Sequence, residues 1–152
     1  MDYANGAGQA SGALLAMALA KTGLPMAKTP VTHDRNYLLL TDENFRAFDA
    51  KWWSPEELVY HGNSSEFPDC DDYARLWVAA MIQGAILEGL PFLPFCGWAD
   101  VRLSDGGLHA LGWGIMQDMK LRFREPQQKD LERAWTTDPA AFRIVEVLGA
   151  DA

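Results

Sequence analysis

The chain has 152 residues, 49% of them hydrophobic, which suffices for one compact domain with a core and falls short of two. Thirteen Lys and Arg against 21 Asp and Glu leave a net charge of -8, which argues against nucleic acid and anionic membrane as partners, because phosphate binding relies on clustered cations. Two cysteines, Cys70 and Cys96, are too few for a disulfide scaffold; a reducing compartment fits best, with one bridge between the two left open.

The longest apolar run, residues 13–20, is under half the length that crosses a bilayer. Ala18-Leu19-Ala20 has the form of a signal-peptidase site, but the residues before it include Asp2 and no Lys or Arg, so no signal peptide is expected. The expectation is a soluble protein, cytoplasmic or virion-associated, forming a single domain over residues 1–152, in which residues 1–34 are an N-terminal helix and connector.

Residues 1–12 are rich in Gly, Ala and Ser and read as a loose start, followed by SGALLAMALAKTG, a short packing helix closed by Gly23. A connector with Pro25 and Pro30 leads to the short apolar strand YLLL. TDENFRAFDAKWW has an N-cap in Thr41, acidic residues in its first turn and apolar positions at Phe45, Ala47, Phe48 and Trp52, which predict a helix. SPEEL reads as a further helical turn, and YHGNSSEFP as a polar loop broken by Gly62, Asn63 and Pro68.

Residues 71–90 have helix-forming composition and a stop at Gly89 and Pro91. Asp72, Arg75 and Gln83 fall within a stripe of roughly 80° on a helix of 3.6 residues per turn, so this helix is expected in the middle of the fold. The period then changes. FLPFCGWADVRL, the turn SDGG, LHALGWGIMQ and MKLRFREPQ predict an antiparallel meander of three strands. A short helix in KDLERAWTTDPAAF and a last strand, RIVEVL, complete an α+β pattern.

Cys70 stands just ahead of the long helix, where the positive end of the helix dipole stabilises a thiolate. Asp71 and Asp72 oppose that effect, since nearby negative charge disfavours a thiolate, and the site calls for a base or a metal. Of three histidines, His109 is the best candidate base, at the start of the strand after SDGG. Glu125 ends the next strand, where an antiparallel register can bring it to His109 to fix the tautomer.

A cysteine at a helix start, a histidine on a strand and an acceptor on the next strand resemble the layout of papain-like cysteine peptidases. PDCDDYA at 68–74, GGLHALGW at 106–113 and EPQ at 125–127 more narrowly resemble the peptidase domain at the C-terminal end of the Marasmius oreades agglutinin and related stand-alone proteins, some of phage origin. The spacings, 39 residues from Cys70 to His109 and 16 from there to Glu125, fit that group, and the resemblance covers roughly residues 35–127. It implies a papain-like α+β fold in which a central buried helix carries the cysteine against an antiparallel sheet. It also implies calcium-dependent hydrolysis of a protein or peptide substrate through an acyl-thioester, with Cys70 as nucleophile, His109 as base and acid, and Glu125 as orienting group. Calcium prefers hard oxygen donors, and the ligands implied are Asp71, Asp72 and Gln127. GGLHA carries an additional Leu before the histidine and no lectin repeat precedes it, so sugar binding is not carried over. Oxyanion donors are open between the helix-start N–H, Asn63 and the Trp53 indole.

The same thioester chemistry serves deamidation or transamidation. The rival reading is a catalytically silent structural or binding protein on the same fold, a virion component or host-interaction module, with six tryptophans available for a surface. A third is a zinc site built from Cys70, His109 and a carboxylate.

Overall fold

The computed structural model describes residues 1–55 and 69–152. The helices are α1 (Leu14–Lys21), α2 (Asp42–Trp52), α3 (Cys70–Leu87) and α4 (Leu131–Ala134); the strands are β1 (Gly8–Ser11), β2 (Asn36–Leu39), β3 (Cys96–Leu103), β4 (Leu108–Ile115), β5 (Leu121–Arg124), β6 (Trp135–Thr136) and β7 (Ile144–Asp151). Thr41 caps α2 as its sequence predicts, its hydroxyl accepting from the Asn44 N–H at 3.1 Å. Residues 8–11, expected to be loose, instead pair antiparallel with β2, Gly8 opposite Leu39; the pairing partner lies 25 residues or more downstream, and local composition does not carry it. Most of SPEEL and all of YHGNSSEFP, with His61 and Asn63, lie outside the described residues.

The main sheet is antiparallel throughout, in the order β6-β5-β4-β3-β7. The expected meander is its centre, β3 to β5. Gly106, at φ +86, supplies the left-handed residue that lets the β3–β4 hairpin close, with the Leu103 N–H donating to the Gly107 carbonyl at 2.8 Å. Both faces of the sheet are buried. Leu15 and Leu19 of α1 join Ala99, Leu111, Trp113 and Phe123 in one core. Phe45 and Phe48 of α2 and Trp77 and Met81 of α3 join Cys96 and Trp135 in the other.

The second core encloses a charge. Asp49 of α2 is fully buried and accepts three hydrogen bonds, from the Trp77 indole at 2.7 Å, the Trp135 indole at 3.1 Å and Arg124 Nε at 3.0 Å. Arg124 is itself 1% exposed. Burial lowers the Arg124 pKa while Asp49 raises it. One carboxylate thus ties α2 to α3, β5 and β6, and its three donors satisfy it away from water.

The expectation of a helix buried on all sides is corrected. α3 buries Ala74, Trp77, Met81, Gly84 and Ala85, while Leu76, Ile82, Ile86 and Leu87 on the same helix are exposed. It packs by one face because α2 and the sheet lie on one side only. There the fit is close: a Cβ on Gly84 would stand 2.6 Å from the Trp52 ring, and one on Gly112 of β4 would stand 2.6 Å from the Trp77 ring.

Asp49→Ala leaves the Arg124 guanidinium buried without its partner, and a loss of about 3–5 kcal/mol is expected. Urea unfolding followed by tryptophan fluorescence measures it, and a loss below about 1 kcal/mol would contradict the role given to this pair.

Candidate functional site

Cys70 is the first residue of α3 and half-buried. Its helix start is held by Asp72, three positions along from the N-cap Asp69, whose Oδ2 accepts from the Asp69 N–H at 3.1 Å. Asp71 lies 3.3 Å from Arg75 one turn on, and Arg75 in turn stacks over the Trp98 ring, 5.2 Å from its centroid. The two acidic neighbours that seemed to oppose a reactive thiol therefore both have work in the helix itself.

His109 Nε2 lies 2.5 Å from Glu125 Oε2, and both side chains are about one-fifth to one-quarter exposed at 21% and 24%. The last β4–β5 pair is Gly112 with Arg124, so Glu125 reaches His109 from one residue beyond the ladder. What holds it there is the chain on either side. The Glu125 N–H donates to the Ala134 carbonyl at 2.8 Å, its carbonyl accepts from Arg124 at 2.5 Å, and its Oε1 accepts from the Gln127 N–H at 3.2 Å. The Trp53 indole donates to the Pro126 carbonyl at 2.9 Å, so this indole braces the turn and is not the oxyanion donor considered above.

Cys70 and His109 line one open cleft of about 550 Å³, together with Lys28, Asp71, Arg75 and Asp100. The structure thus brings Cys70 to the same cleft as His109 and His109 against Glu125. Burial raises the Asp100 carboxyl pKa; Arg75 and Lys28 lower it and Asp151 adds to the rise. Lys28, Asp100 and Asp69 escaped the sequence reading. Asp100 stands at a polar position in the β3 alternation, and Lys28 lies in a connector whose path is set by backbone bonds to β7.

Cys96 is fully buried in β3 opposite Gly114, and burial raises its thiol well above the ordinary value. Neither cysteine is bridged, so the disulfide left open does not form. The zinc arrangement is not assembled either: among the described residues the one group of close ligand atoms is Asp69, Asp71 and Asp72, within 4.8 Å of one another, without Cys70 or His109. Asp69 Oδ1 in that group is buried with no hydrogen-bond partner among the described residues.

No protein-family model and no curated protein matches the chain. Solved structures do. One, titled PSL1a-E64 complex, superposes with a TM-score of 0.72 at 22% identity over 95% of this chain and 51% of its own. Another, Polyporus squamosus lectin bound to the epitope Neu5Aca2-6Galb1-4GlcNAc, gives 0.68 at 18% identity over 95% and 49%. The chain spans about half the length of each, and identities this low show the fold alone.

These matches correct the reading as a papain-like cysteine peptidase of the Marasmius agglutinin type. These two structures are titled as complexes of a lectin and of PSL1a, with no peptidase named, and the thiol-protease, phage and hydrolase attributes expected from the motifs go with it. Two of the motifs place Cys70 and His109 in one cleft and the third sets Glu125 against His109; that arrangement does not establish turnover. The mixed α/β architecture with its antiparallel sheet stands, without the papain-specific detail. No helix among the described residues is long and apolar enough to cross a membrane.

Iodoacetamide is expected to label Cys70 in the native protein while Cys96 reacts only on unfolding, because one thiol opens to the cleft and the other is enclosed. Peptide mass mapping over a time course reads this out, and equal labelling of both would contradict the burial described.

Proposed function

We propose that this chain is a ligand-binding module without turnover, whose ligand occupies the cleft between α3 and the β3–β4 hairpin. The observation that carries the reading is the cleft itself: Cys70, His109 and Asp100 face one open volume of about 550 Å³. The two fold neighbours support it, since each is titled as a complex with a bound molecule. Cys70 and His109 are the contact residues in this proposal. Glu125 holds the imidazole in place through the 2.5 Å contact. A glycan partner, as on a host surface, fits the lectin title better than a peptide substrate does.

The test uses the ligands of those titles. The trisaccharide Neu5Acα2-6Galβ1-4GlcNAc and E64 are titrated separately into the protein and followed by chemical-shift changes, beside a peptide library incubated with calcium. Saturable shifts at Cys70 and His109 with either ligand, weakened about tenfold or more by His109→Ala, and no cleavage are expected. Peptide cleavage abolished by Cys70→Ala, or the absence of shifts with both ligands, would overturn the proposal.

A calcium ion belongs to the same proposal. Three carboxylates within 4.8 Å, one with a buried oxygen lacking a partner, fit a hard cation. Asp69, Asp71 and Asp72 would hold it, with the Gln127 carbonyl as the further donor considered, and its charge would relieve the repulsion at the start of α3. Calcium at millimolar concentration is then expected to raise the thermal midpoint by a few degrees, about 1 kcal/mol, and Asp71→Asn to remove the rise. An unchanged midpoint with calcium counts against it.

A further inference from the structure

The cleft does not end at Asp100. β7 carries a bulge where Asp100 pairs with Gly149 and Val101 with Val147, leaving Leu148 as the additional residue. The connector before β2 is fastened to β7 on both sides of that bulge. The Ala27 N–H donates to the Val147 carbonyl and the Val31 N–H to the Ala150 carbonyl, both at 2.9 Å. Between the two fastenings the segment containing Lys28 and Thr29 borders a second volume, about 330 Å³, which also touches Trp98, Asp100, Gly149 and Asp151. Lys28, Asp100 and Gly149 line both volumes, so they are two halves of one groove.

Gly149 stands at the junction, and neither of the usual reasons for a glycine applies there. Its φ is not in the left-handed region, and a Cβ built on it meets nothing within 4 Å. The missing side chain therefore opens the groove and serves no packing contact. Asp100 is half-buried and engaged by no side-chain hydrogen bond or ion pair among the described residues, and Asp151 lies near enough to disfavour its charge further. Arg75 is already held by Asp71 and by the Trp98 ring. Two carboxylates remain to be matched, beside an indole that already takes a guanidinium, that of Arg75, on its face.

The geometry points to a second subsite at Gly149, Asp100, Asp151 and Trp98, continuous with the Cys70–His109 cleft, that takes the guanidinium or ammonium group of an elongated ligand. It deepens the binding reading above and rests on that reading only for the other end of the ligand.

Arginine amide and citrulline amide, alike in shape and different in charge, are titrated into the protein with chemical shifts recorded for Gly149 and the Trp98 indole. Arginine amide is expected to bind there at least about tenfold more tightly than citrulline amide. Asp100→Asn should remove most of that difference. Gly149→Leu should abolish the shifts while leaving the thermal midpoint unchanged, since the position is open. Equal binding of the two amides, or undiminished binding by Gly149→Leu, overturns the subsite. The two readings fail separately: loss of trisaccharide and E64 binding at Cys70 with arginine amide still bound at Gly149 removes only the first, and the reverse removes only the second.

Discussion

The buried Asp49 carboxylate is the constraint around which this molecule is arranged. A charge at 0% exposure is costly unless every lone pair it needs is met, and Asp49 is met by two indoles and a guanidinium from three other elements. Those donors lie 28, 75 and 86 residues away along the chain. The hydrophobic effect brings α2, α3 and β6 together without choosing their exact rotation; the directional bonds to Asp49 choose it. The aromatic packing follows, with Trp135 edge-on to both Phe45 and Trp77 at 5.3 and 5.8 Å.

The same pair reaches the candidate site. Arg124, anchored by Asp49, donates through its other arm to the Glu125 carbonyl, and Trp53 from the end of α2 donates to the next carbonyl, that of Pro126. The turn that presents Glu125 to His109 is thus held by groups rooted in the core. Its geometry is inherited from the packing of α2, and a loop of ordinary surface residues would not hold a 2.5 Å contact so firmly. Cys70 is positioned independently, by the start of α3, and the cleft is where the two systems meet.

Much of this was legible where the signal is local. Thr41 with its acidic first turn marked α2, the change of period after Pro91 marked the meander, with the first strand beginning at residue 96 and not 92, and the SDGG turn located the hairpin that carries His109. The contact of His109 with Glu125 and the shared cleft of Cys70 and His109 also agree with the motif order. What escaped depends on partners distant in sequence. Asp49 reads as one more polar position on an amphipathic helix, and its burial depends on Trp77, Arg124 and Trp135. Residues 8–11 lack strand composition and become a strand through β2. Lys28 lies in a segment with proline on either side and enters the cleft because that segment is fastened to β7 by its backbone. Leu76, Ile82, Ile86 and Leu87 made α3 look central, yet they lie on its exposed face. Motifs also overreached in one respect: a constellation suited to thioester chemistry suggested a peptidase, whereas the two structures compared above are titled by the molecules they hold.

Binding and turnover use the same side chains here and differ in what happens at one sulfur atom. A ligand held by His109, Asp100 and the groove leaves Cys70 Sγ unmodified, while hydrolysis passes through an acyl group on it. A crystal structure of the protein soaked with an arginine-containing peptide, combined with the intact mass of the dissolved crystals, tests this most directly. The peptide is expected to stay intact, with its arginine at the Gly149 subsite where it binds, and the protein mass to stay unmodified. A cleaved peptide, or a mass increment equal to an acyl fragment on Cys70, would contradict it.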